Sequence, residues 1–140
     1  MRMDGVVSLG QRLAPRVVPF LVLAAVAAAA HADQEVQSSD GQWKVHAKVA
    51  DSLAVKKSSE AMINISPAGM AKGCPKVDSV AFEMPAHGHG GDVDPKVMST
   101  GACSWHVTDL EPSMSGAWRL RLVLKDGDKT SNADLPITAK

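Results

Sequence analysis

Apolar and polar residues alternate along most of the chain with a period of two, which is the pattern of half-buried β-strands. In "WKVHAKV", Trp43, Val45, Ala47 and Val49 fall on one face and Lys44, His46 and Lys48 on the other. "AMINIS" groups Ala61, Ile63 and Ile65 before "PAGMAKGCP" breaks the pattern with two prolines and two glycines. "VDSVAFEM" groups Val80, Phe82 and Met84 against Ser79, Ala81 and Glu83, so Met84 is expected in the core. "PKVMSTG" predicts a short edge strand, and "CSWHVTD" sets Cys103, Trp105 and Val107 opposite His106. After a corner at "LEPSMSG", "AWRLRLVL" turns Trp118, Leu120, Leu122 and Leu124 inward and Arg119 and Arg121 outward. Asp126-Gly127 then predicts a tight hairpin into a last strand near "SNADLPITA".

No segment beyond the N-terminus carries a sustained 3.6-residue apolar repeat with caps. Six to seven short strands separated by Gly/Pro-rich turns predict an all-β fold, an antiparallel β-sandwich of immunoglobulin-like architecture. Trp43, Trp105 and Trp118 are expected to fill much of its core. Residues 33–41, "DQEVQSSDG", show no such pattern and read as a flexible leader, so the domain is expected over 42–140.

The N-terminus changes where this fold is expected to work. Arg2, Arg12 and Arg16 precede the apolar run Val17–Ala30, which is shorter than the roughly 20 residues of a membrane span. Ala30, His31 and Ala32 follow as an A-x-A cleavage signature, so residues 1–32 read as a secretory signal peptide, with a cut after Ala32 or, alternatively, after Ala30. The expected location is periplasmic or secreted, with no membrane span after cleavage. Loss of Arg2, Arg12, Arg16 and Asp4 from 15 basic and 15 acidic residues leaves 12 and 14. A net charge of minus two with no basic cluster argues against a nucleic-acid partner.

Export also bears on Cys74 and Cys103, an even pair that predicts a disulfide. Two buried thiols, or a thiolate in a metal site, are the alternatives. No C-x-x-C pair points to thioredoxin-like redox chemistry, and no G-x-S-x-G or related nucleophile signature is present, so no enzymatic activity is expected.

The candidate chemistry centres on "MPAHGHGG", Met84 to Gly91. His87 and His89 offer two imidazoles either side of Gly88, and His106, Met98 and Met114 are further soft or borderline donors, the methionines expected at loop ends. Such a mixed set suits copper better than magnesium or calcium. Four recognisable zinc ligands are not grouped, and "DVDP" at Asp92 to Pro95 lacks the calcium-loop pattern. Solvated loop histidines, with Met114 packed under the corner, are the plainer alternative.

A strand ending in "MPAHGHGG", followed by "GACSWHVTDLEPSMSGAWRLRLVL", resembles the YtkA-like family of small exported β-sandwich domains, which in turn resemble FixH-like proteins. The likeness runs from about Gln42 to Leu124 and includes the Met-x-Gly-x-Trp motif read as Met114, Gly116 and Trp118. It departs at "CSWHV", where relatives more often open the strand with Gly-x-Tyr, and the chain has no tyrosine for a tyrosine corner. The resemblance implies an exported, non-catalytic accessory domain, with links to copper handling or oxidase assembly. A metal-free module that holds an envelope protein partner is the alternative. A cut after Ala30 would expose His31 as a terminal, copper-chelating histidine of the kind seen in CopC-type sandwiches.

Overall fold

The computed structural model describes residues 30–140, all of whose regular structure is β. The strands are β1 (His31–Gln37), β2 (Trp43–Ala50), β3 (Ser59–Pro67), β4 (Lys76–Met84), β5 (His89–Gly90), β6 (Lys96–Gly101), β7 (Ser104–Leu110), β8 (Gly116–Asp126) and β9 (Lys129–Ala139). They form two antiparallel sheets, ordered β1-β2-β3-β7-β6 and β5-β4-β8-β9, that close as a sandwich. No described helix is long and apolar enough to cross a membrane.

Alternation decides which face of each strand is buried. Val45, Ile63, Val107, Leu120, Leu122 and Leu135 are sealed from solvent between the sheets. Trp43, Trp105 and Trp118 join them, as their spacing predicts, and so does Met84. Phe82 stacks on Trp118 with centroids 4.8 Å apart, joining β4 to β8. The Asp126-Gly127 signal produces the β8–β9 hairpin, with Gly127 at φ +60° and Asp126 paired to Lys129. The expected disulfide joins Cys74 to Cys103, Cα atoms 5.4 Å apart, and staples the lead-in to β4 to the β6–β7 turn across the two sheets.

Two of the nine strands lie outside the expected six to seven. The signal peptide expected over 1–32 falls outside the described residues as far as residue 29, but His31 and Ala32 open β1. The expected leader over 33–41 supplies the rest of β1, which pairs with β2 from His31↔Ala50 to Gln37↔Lys44. Its inward positions are Ala32, Gln34 and Val36, only one of them large and apolar, so side chains hide a strand that edge pairing makes. Ser38 and Asp40 close the β1–β2 turn: the Ser38 hydroxyl donates to Asp40 Oδ1 at 2.6 Å and accepts from Trp43 N–H at 3.0 Å. β5 is a two-residue pairing on β4, too short to leave a periodic trace.

Candidate functional site at the loop end of the sandwich

Three connections meet at one end of the sandwich. After Met84 the chain turns sharply, with His87 and Gly88 N–H groups both donating to the Met84 carbonyl and Gly88 at φ +65°. It returns as β5, which sets His89 beside Met84. The 85–95 loop then passes so close to the 111–115 corner that a Cβ on Gly91 would collide with the Glu111 carbonyl. The third connection, residues 51–58, contributes Lys56, whose N–H donates to Pro112 O at 2.8 Å. Its ammonium pairs with Asp92 at 2.7 Å, and this carboxylate raises the Lys56 pKa above its ordinary value.

His87 and His89 stand with ring centroids 5.7 Å apart, tilted by 40°. An imidazole bound through one nitrogen places its centroid about 3 Å from a metal, given a bond of about 2.0 Å. Two rings on one ion are therefore about 4.5–6 Å apart, depending on the angle at the metal. His89 Nδ1 lies 3.0 Å from the Gly90 carbonyl. A carbonyl only accepts, so Nδ1 carries the hydrogen and Nε2 keeps the lone pair. The same ring meets Trp118 edge-on at 6.0 Å, which ties the loop to the core.

Met114 lies on the opposite lip, 38% exposed, and its carbonyl accepts the Trp118 indole N–H at 3.0 Å. The two loops thus flank one indole. Gly116 permits this closure: it has φ +135°, and a Cβ there would lie 2.8 Å from Met84 Cε.

The other candidate donors are elsewhere. Met98 is not at a loop end but in the middle of β6, and His106 is on β7, both in the five-stranded sheet, whereas His89 belongs to the four-stranded one. The five sequence candidates therefore divide into a loop group, His87, His89 and Met114, and a sheet pair, Met98 and His106. Among the described residues no group of three or more His, Cys, Asp or Glu is placed to hold a metal. The cysteines are consumed by the disulfide, which removes the thiolate alternative.

Sequence reasoning did not find the contact of His89 with Trp118, nor the Lys56–Asp92 pair across 36 positions. Neither leaves a local signal. Comparisons with protein-family models, curated proteins and solved structures give no match.

Proposed function

We propose that this chain is an exported, non-catalytic accessory domain of YtkA-like type that binds copper at the loop end of its sandwich through His87 and His89. The observation that carries the reading is the pair of rings 5.7 Å apart, one with its Nε2 lone pair left open by the Nδ1 contact to Gly90. Imidazole donors suit copper. The Cys74–Cys103 disulfide supports an oxidising compartment such as the periplasm.

Copper held by His89 sits beside Trp118, so titration of the purified protein is read by tryptophan fluorescence alongside direct metal binding. Loss of a group that merely orients a ligand costs about 10–100-fold in affinity, and removal of the ligands costs more. His87→Ala/His89→Ala is expected to abolish the quenching and weaken binding by at least that range. Equal binding by the two proteins rejects the loop site.

A second reading, a metal-free module for an envelope protein, is supported by the edge of β4. β5 covers it only at Glu83 and Met84, leaving Lys76 to Ala81 without a strand partner on that side among the described residues. A groove lined by Val80, Phe82, Val93 and Pro95 runs beside it. Addition of a partner strand fits such an edge.

A further inference from the structure

The outward faces of the two sheets differ in chemistry. On the four-stranded sheet the charges are matched: Arg119 donates to Glu83 at 3.1 Å, Arg121 grips Asp134 at 2.7 and 2.9 Å, and Lys125 faces Asp78 at 3.5 Å. The five-stranded sheet also has ion pairs, Lys44–Glu35 at 3.2 Å and Lys96–Asp109 at 3.1 Å, but one of its rows, which begins beyond Lys48 of β2, carries soft donors. Met62 of β3 pairs with His106 of β7, and His106 pairs with Met98 of β6.

Residues directly opposite on antiparallel strands have Cβ atoms about 4.5–5.5 Å apart. All three point away from the core, because Ile63, Trp105 and Val107 beside them point inward. Met62 is 41% exposed and Met98 62%, so neither thioether is committed to packing. Three rotatable bonds let each sulfur swing over the imidazole between them. His106 itself is held: its Nε2 lies 2.7 Å from Glu60 Oε2. Since a carboxylate accepts, Nε2 carries the hydrogen and Nδ1 is left with the lone pair, the arrangement that orients a metal-binding imidazole. β7 is flanked on both sides by strands, so the central donor stands on a fixed platform.

We propose that Met62, Met98 and His106 form a second site, independent of the loop pair, for a soft monovalent cation of the Cu(I) or Ag(I) class. Two thioethers and one imidazole select such an ion over magnesium or calcium. Glu60 is a positioning residue that fixes the tautomer of His106.

Silver, which has no competing redox chemistry, is the probe. Titrated into the purified protein carrying isotope-labelled methionine methyl groups, it is expected to shift the Met62 and Met98 signals together, saturating at equimolar silver, with the His106 ring signals following. Met70, 91% exposed and placed beyond the end of β3, where its N–H donates to Gln42, is the internal control and stays in place. The same response is expected in His87→Ala/His89→Ala, which separates this site from the loop. Met62→Leu/Met98→Leu conserves volume at exposed positions and should keep the fold. That variant is expected to bind silver about tenfold more weakly or worse. Met62 and Met98 signals that move no more than Met70, or a leucine variant that binds silver as the unmodified protein does, would overturn the proposal.

Discussion

Single residues on the outer face of the four-stranded sheet carry the clearest pH response. Asp134 accepts both hydrogen bonds of the Arg121 fork. That contact, aided by the Arg121 and Arg119 charges and opposed by partial burial, lowers its pKa below the ordinary 3.8. A lowered folded pKa means a contribution that is complete above the ordinary carboxylate value and is lost as the pH falls through the folded one. With side chains 35% and 40% exposed, solvent screening keeps the contribution of this pair small. Urea unfolding of Asp134→Asn should therefore show a small deficit at neutral pH that closes as the medium is acidified. A deficit that persists unchanged in acid would show that the ion pair is not its source.

At the level of elements, the loop end depends on how closely two connections approach. Gly91 meets the Glu111 carbonyl with no room for a methyl group, and backbone on both sides cannot give way cheaply. Gly91→Ala is expected to cost about 1–3 kcal/mol and to part the 85–95 loop from the 111–115 corner. Since His89 is carried by that loop, copper affinity should fall with stability, although no ligand has been removed. Thermal unfolding and copper titration of the same variant check both effects. Unchanged values in both would mean the loop closes without this contact. β1 shows a different dependence: its seven residues are held mainly by pairing with β2, and a cut after Ala32 removes the pairs His31↔Ala50 and Ala32↔Val49, whereas a cut after Ala30 keeps them.

For the whole molecule, the disulfide is a covalent cross-link between the sheets in addition to the main-chain crossings β3–β4, β5–β6 and β7–β8. It closes 29 positions of sequence, which in the chain-entropy account corresponds to about 3.5 kcal/mol taken from the unfolded state. Cys74→Ser/Cys103→Ser, or reduction of the unmodified protein, should lower the unfolding free energy read from a urea titration by about that amount, with a lower midpoint and a steeper transition because the freed unfolded chain is less compact. A midpoint that does not move on complete reduction would mean the sandwich is held by its core alone.

Alternation by itself determined the strands from Trp43 onward other than β5, and the inward set that includes Met84 and the three tryptophans, while the Asp-Gly pair marked the β8–β9 hairpin and residue type made His87 and His89 candidates. The strands and their inward set were legible because a strand with one buried face writes its orientation into every second residue. The disulfide was legible only as an even cysteine count. β1 was not legible, because a polar edge strand is fixed by backbone bonds to its neighbour, which leave no apolar trace. Tertiary structure alone decided the grouping of donors: His89 against Trp118 at the loop end, and Met62, His106 and Met98 in one row of the other sheet. Met62 was visible as an outward residue of "AMINIS", yet nothing local relates it to His106, 44 positions on. Register between strands distant in sequence set that row, and register is a property of the folded sheets rather than of any segment within them.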